Sequence, residues 1–408
     1  MDNRPGWTSP FASLRNRHFL LFFVGLLFAL AAVQMQALTL NYLVFRVTNS
    51  AKDIGYVNAV TGVTIVIFSF AAGIAADRLS KRNLLITTQL GFGVAAFALG
   101  LFINLNVINM GYIYGYSVVY GVLSAVNIVA RQSYLPDLVK IDKIVNAQGL
   151  VSVNLSLTRI AGPALGGIII GLSGAATAFF AKSLGQIVFL FFLLMIPLKG
   201  QISGPPRSIL GDVVDGIRYL KRDRKVSDLL VFGIIPIVLG APYLYFLPVF
   251  QKNVFHTGAA ELGLMMSVTG VGAVIGSLFV AALHNSSKKA RVQFFTGAGF
   301  GAALVLFGIA AGNDSFIMSL VTLGLVGMSG TAFVAINASL VQGITPAGMQ
   351  GRIQALFTAG IGLISIGALP MGAMVDAVGP SLTMVIFGGA TLLFVLIMTL
   401  VRPNVRRV

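Results

Sequence analysis

Long apolar runs alternate with short charged clusters along the whole chain. No Asp, Glu, Lys or Arg stands between Asp53 and Asp77, and the 48 residues from Asn83 to Ala130 contain none either, whereas Asp77 to Arg82 hold one acid and three bases in six residues. A helix needs roughly 20 mostly apolar residues to cross hydrocarbon, and helices satisfy their own backbone there. Cutting at charges and turn residues predicts twelve spans, over 19–45, 54–76, 84–104, 110–130, 147–171, 175–198, 227–250, 260–283, 292–311, 315–339, 353–375 and 380–401. The apolar run from Phe19 to Phe45 is too long for a secretory signal and is read as a retained first span.

The longest hydrophilic segment, Lys199 to Asp228, falls between spans six and seven. Within it Ile209, Leu210, Val213, Val214, Ile217 and Leu220 recur at helical spacing, which predicts an amphipathic helix on the membrane surface. The chain thus divides into a six-helix bundle at 1–198, a linker at 199–226 and a second six-helix bundle at 227–408. The halves also resemble each other. Asn127 in "NIVARQSYLPDLV" falls over Asn337 in "NASLVQGITPAGM", Pro136 over Pro346, and Pro163 near Pro370. Three matches in one order predict a duplicated unit, an all-α membrane protein of two pseudo-symmetric halves enclosing a midplane cavity.

Composition agrees with the bilayer reading. The chain is 57% hydrophobic and 10% charged, against about a quarter charged in soluble domains, and its mean hydropathy is +0.91. With no cysteine, disulfides and thiolate chemistry are excluded. The net charge of +16 suggests nucleic acid until its placement is read. Of the 28 Lys and Arg residues, 23 fall on the side of the predicted topology that carries the termini, Arg46, Lys52 and Lys252 on the other, and Arg159 and Lys182 inside spans. The positive-inside rule therefore predicts cytoplasmic termini, and the excess charge serves topology and contact with anionic lipid rather than nucleic acid.

In "GIAADRLSKR" the bases Lys81 and Arg82 fit a cytoplasmic loop, Gly73 allows close helix approach, and Asp77 can pair with a base or a helix N-terminus to hold one conformation closed. The stretch resembles the loop signature of the major facilitator superfamily: Gly, three residues, Asp, Arg, then a basic pair. The resemblance implies a gating role for Gly73, Asp77, Arg78 and Arg82, although the second-half loop "ALHNSSKKAR" lacks the Asp. "RIAGPALGG" resembles the fifth-span motif of antiporters in that superfamily, carried by Gly162, Pro163, Gly166 and Gly167; a kinked, closely packed helix reads the same residues. "LRNRHF", "LTLNYLVFRVTNSAKDIG", "ARQSYLPDLV", "DGIRYLKRD" and "TPAGMQGRIQALF" resemble the enterobactin-exporter and macrolide-efflux subgroup. The resemblance implies a proton-coupled secondary exporter of a siderophore or drug in the bacterial inner membrane, with a small-molecule substrate and membrane lipids as partners and no cofactor; a monomer is expected because one twelve-span chain is enough to form the whole pathway.

Charge inside a span is costly and marks function. Arg159 stands twelve residues into span five, roughly 18 Å along the helix, on a face with Ser152 and Ser156. It is either a fixed cation for an anionic or carbonyl-rich substrate or a structural donor to backbone carbonyls. Lys182 either snorkels to the outer surface or serves the cavity. The first and fourth spans line the cavity in the superfamily, which singles out Gln34, Asn41 and Asn127; Tyr243 in a bent seventh span is a cavity or lipid-interface aromatic. No acid stands at a span centre, so coupling, if present, falls to Asp53, Glu261 and Asp376 at outer ends or Asp77 at the inner end, each also readable as a cap or gate. That absence keeps a second reading open, a facilitator or importer without proton coupling. No P-loop, Gly-x-Ser-x-Gly, His-Glu-x-x-His or paired embedded carboxylates are present, so nothing suggests an enzyme or a metal site.

Overall fold

A computed structural model describes residues 11–198, 218–283 and 289–402. The predicted surface helix lies, up to residue 217, outside the described residues, as does the side chain of Asp77. The long helices among the described residues are α1 (Arg17–Thr48), α2 (Ala51–Arg78), α3 (Lys81–Asn104), α4 (Met110–Leu138), α5 (Ile144–Leu194), α6 (Arg224–Gly240), α7 (Tyr243–Asn253), α8 (Ala259–Ala282), α9 (Lys289–Gly312), α10 (Phe316–Ile344), α11 (Ala347–Val378) and α12 (Pro380–Val401).

These twelve long helices and the twelve predicted spans do not correspond one to one. The spans predicted at 147–171 and 175–198 both belong to α5, whose assignment runs through Gly174 at φ 84° and ψ 172°. The chain reverses there: Leu150 and Leu193 share one apolar cluster while Ile170 and Ala175 share another. Only glycine adopts that φ cheaply, so the expected loop shrinks to a single residue. Span seven is broken instead, α6 ending at Gly240 and α7 starting after Pro242, because proline cannot continue the backbone ladder. Elsewhere short polar caps end the runs. Asn16 Oδ1 accepts from His18 N at 2.9 Å to start α1, and Ser50, Ser80 and Asn109 cap α2, α3 and α4.

The packing is pseudo-symmetric. Within the first half α2 meets α4 and α3 meets α4 and α5; within the second α8 meets α10 and α9 meets α10 and α12. The halves join mainly through α2 with α11 and α5 with α8, two pairs that exchange when the halves are swapped. Small residues permit this closeness. A Cβ on Gly55 would lie 2.7 Å from Ala368 O, one on Gly372 2.6 Å from Ala51 O, and one on Gly167 2.5 Å from Ala259 O. The first two pairs show α2 and α11 running antiparallel along the seam.

The apolar clusters differ at the two ends. Away from the termini a single cluster spans both halves, joining Leu38, Val44 and Ile54 to Phe246, Phe250, Leu262 and Met371. Near the termini the halves keep separate clusters, one around Phe19, Tyr134 and Phe189, the others around Leu229, Ile336 and Phe333. The molecule is sealed at one end and its halves part toward the other.

Candidate functional site

The fifth span builds the first wall of the cleft. Its face at Asn154, Gly162 and Gly166 lies on α1: Asn154 Nδ2 donates to Phe23 O at 3.0 Å, and a Cβ on Gly162 would lie 2.9 Å from Ala31 O. Its face at Ile160, Pro163 and Gly167 lies on α8, where Ser267 Oγ donates to Ile160 O at 2.8 Å and a Cβ on Gly263 would lie 2.8 Å from Pro163 O. The lipid stripe is Val153, Leu157, Leu165 and Ile168, each about half exposed. At 100° per residue Arg159 falls opposite that stripe, between the α1 and α8 faces, and is exposed. It therefore points into the cleft, where among the described residues it makes no hydrogen bond or ion pair.

The remaining expected wall residues separate. Gln34 packs its Cβ over Gly162 and stays half-buried beside the cleft. Asn127 is half-buried and donates to Thr88 Oγ1 at 2.9 Å, tying α4 to α3. Asn41 and Tyr243 are not brought to the cleft. Asn41 is buried, accepts from Asn58 Nδ2 at 2.7 Å and so ties α1 to α2; Tyr243 is buried in the sealing cluster beside Thr269. Tyr245, also in α7, meets Ser365 Oγ at 3.2 Å and lies within electrostatic reach of Tyr120 on the opposite half.

Lys182 does not snorkel. It is 1% exposed, donates to Gln36 Oε1 and the Tyr116 hydroxyl, and lies 4.8 Å from the Tyr120 ring centroid, 4.9 Å from that of Tyr116 and 5.8 Å from that of Phe92. Aromatic faces and a carbonyl oxygen stand in for a counter-ion.

The loop motif holds the first half together. Lys81 Nζ pairs with Asp137 at 2.9 Å, and Arg82 donates to Leu193 O and Leu194 O at 3.1 and 3.0 Å, capping the C-terminus of α5. Gly73 is half-buried and Arg78 exposed at the end of α2.

The acids expected at the outer ends all stand at helix ends. Asp53 and Glu261 occupy the first turns of α2 and α8. Asp376, from the end of α11, crosses the seam to the N-terminus of α2, accepting from Ala51 N at 2.8 Å, Lys52 N at 2.9 Å and Ser50 Oγ at 3.1 Å. Lys252 Nζ adds a bond to Asn49 Oδ1 at 2.9 Å. An anion on a helix N-terminus stabilises by roughly 0.3–1 kcal/mol where it is solvent-exposed, as Asp376 is, so its clamp holds this end closed by about that much. Asp376→Ala is expected to raise the population opened at this end about 2- to 5-fold. Spin labels at Val107→Cys and Asn313→Cys, exposed positions at this end on opposite halves of a cysteine-free chain, would report it as a longer distance component; an unchanged distribution would remove the clamp.

A family model described as transmembrane secretion effector matches residues 8–408. The staphyloferrin A transporter of Staphylococcus aureus is 27% identical over 361 residues, covering 86% of this chain and 88% of that protein. The enterobactin exporter of Shigella boydii is 24% identical over 386 residues, covering 94% and 89%. In fold, the crystal structure of the nucleoside transporter NupG superposes with a TM-score of 0.76 at 15% identity, over 94% of this chain and 98% of that one.

Proposed function

The chain belongs to the transmembrane secretion effector family of the major facilitator superfamily, and on that premise we propose that it exports a small organic molecule by alternating access. Membership makes it a multi-pass membrane transporter of small molecules and not an enzyme. The observation that carries the proposal is the asymmetry of the clusters: one apolar seal shared by both halves at one end, and a parted cleft holding Arg159 at the other. That is half of a two-state cycle, in which the other state seals the opposite end.

Orientation follows from the basic residues. With 23 of 28 on the terminal side, both termini lie in the cytoplasm of a bacterial cell and this conformation faces inward. A substrate made in the cell then enters the cleft from the cytoplasm and leaves when the outer seal opens. Similarity to an enterobactin exporter supports the outward direction and a siderophore as substrate. The proton gradient drives the cycle in this reading. The competing reading, equilibration without coupling, draws on one observation: no acid stands at a span centre.

Proteoliposomes with an imposed pH gradient decide between them. A catecholate siderophore is expected to move against its own gradient and to stop when a protonophore is added. Movement only down the substrate gradient, unaffected by the protonophore, would establish the facilitator.

A further inference from the structure

A second cation shares the cleft. The sequence cut at the first charge placed Arg131 in the loop after span four, but α4 continues two further turns to Leu138 and carries Arg131 inside it, half-buried. Its helix face is fixed by its neighbours. Gly121 lies against Thr64 of α2, Asn127 bonds Thr88 of α3, and Val118 and Val119 are lipid-exposed. Arg131 falls opposite the lipid stripe, on the same interior face as Tyr120 and Ser124, and within electrostatic reach of Tyr120. Like Arg159, it makes no hydrogen bond or ion pair among the described residues.

Depth orders these groups. Measured from the end of α4 at Leu138, Arg131 is roughly 10 Å deep and Tyr120 about 27 Å, while Arg159 is about 22 Å from the start of α5 at Ile144, at 1.5 Å per residue. A solute moving inward from the open end meets Arg131, then Arg159, then the pair Tyr120 and Tyr245 below the seal. Among the described residues no acid offsets the two guanidiniums: Asp137 pairs with Lys81, Asp228 lies 3.9 Å from Arg402, and both stand at the inner helix ends.

Each guanidinium stands in the cleft with no acid partner among the described residues, and its forked donors match the paired oxygens of an anion handed from one to the other. Tyrosine rings at the end of the path offer flat faces and hydroxyls to an aromatic or amphipathic body. We propose that Arg131 and Arg159 form a stepped anion path, making the substrate class a small organic anion with at least two acidic oxygens, carboxylate or catecholate. The inference rests on the exporter reading for its setting, but a binding measurement tests it without reference to direction or coupling.

The experiment is equilibrium binding to the purified full-length protein in lipid nanodiscs. Citrate probes the carboxylate source of charge, 2,3-dihydroxybenzoate the catecholate source, and trimethyl citrate and ethidium serve as neutral and cationic comparisons. At least one anion is expected to bind more tightly than both comparisons, with the tighter of the two anions naming the oxygen chemistry. Arg131→Gln and Arg159→Gln are each expected to weaken it tenfold or more, and Arg159→Lys less than Arg159→Gln. Both glutamine variants must melt with the parent; for one that does not, the lysine variant at that position replaces it. Equal or tighter ethidium binding, no anion binding, or anion affinity unchanged in correctly melting variants would overturn the anion path. Anion binding with no outward transport would instead overturn the exporter reading and leave the path intact.

Discussion

Gly272→Val is expected to prevent assembly of the second half. A Cβ at Gly272 would lie 2.0 Å from Gly324 O and 2.8 Å from Gly324 C, on the backbone of α10. No rotamer change relieves a clash with backbone. Nor can α8 retreat, because Gly276 on the same face would meet Met328 O at 2.2 Å and Gly327 on α10 would meet Thr269 O at 2.1 Å. Separating the pair enough for a valine forfeits contact along the whole seam. Overpacking costs 1–3 kcal/mol where a core can adapt and more where it cannot, against a typical total margin of about 5–15 kcal/mol. Fluorescence-detected size exclusion should find no monodisperse peak. Gly115→Ala, at an exposed helical glycine with no atom within 4 Å of the added Cβ, should elute as the parent does. A monodisperse Gly272→Val protein would show that α8 and α10 pack less closely than described.

Lys182→Ala is expected to destabilise the first half by about 2–4 kcal/mol, chiefly through the cavity left among three rings, since relief of the buried charge offsets the two polar groups that lose their donor. The native arrangement joins α5 to α1 and α4 through one ammonium, bonded to Gln36 and Tyr116 and faced by Phe92 and Tyr120. The cost of burying that charge means that volume, not charge, holds most of the stability. Lys182→Met, which fills the space without the charge, should therefore melt within about 1 kcal/mol of the parent. Thermal unfolding in detergent reads both. An alanine variant that melts with the parent would mean the ammonium is not enclosed; a methionine variant as unstable as alanine would shift the weight to the hydrogen bonds.

Much of the fold was legible because a bilayer imposes a length. Each apolar run had to be a helix, and the twelve predicted spans all occur. What the rule missed came from cutting at charge. Arg131 ended the predicted fourth span, yet the helix continues past it to Leu138, since arginine propagates a helix as readily as most apolar residues do. Facing was harder to read than extent. In a soluble helix polar residues mark the wet side, but here lipid and protein interior are both apolar, so Asn41 and Asn127 carried no label distinguishing an interhelical tie from a cavity wall. For Arg159 the sequence leaves open both a cavity cation and a donor to backbone carbonyls, and only the neighbours that pack on α1 and α8 fix the face it takes. Lys182 was ambiguous in one dimension: its partners Gln36, Phe92, Tyr116 and Tyr120 come from three other helices, and no local pattern announces them.

The apolar cluster that joins both halves at the sealed end also sets how transport responds to temperature. Opening that end wets Val44, Phe246, Phe250 and their neighbours, and exposing apolar surface raises the heat capacity. The free energy separating the two access states is then curved in temperature, and the seal weakens on cooling as hydrophobic cohesion fades. A transporter closed this way carries a thermometer in its seal: its turnover should bend on an Arrhenius plot even in lipids that stay fluid, because the closed population itself changes with temperature.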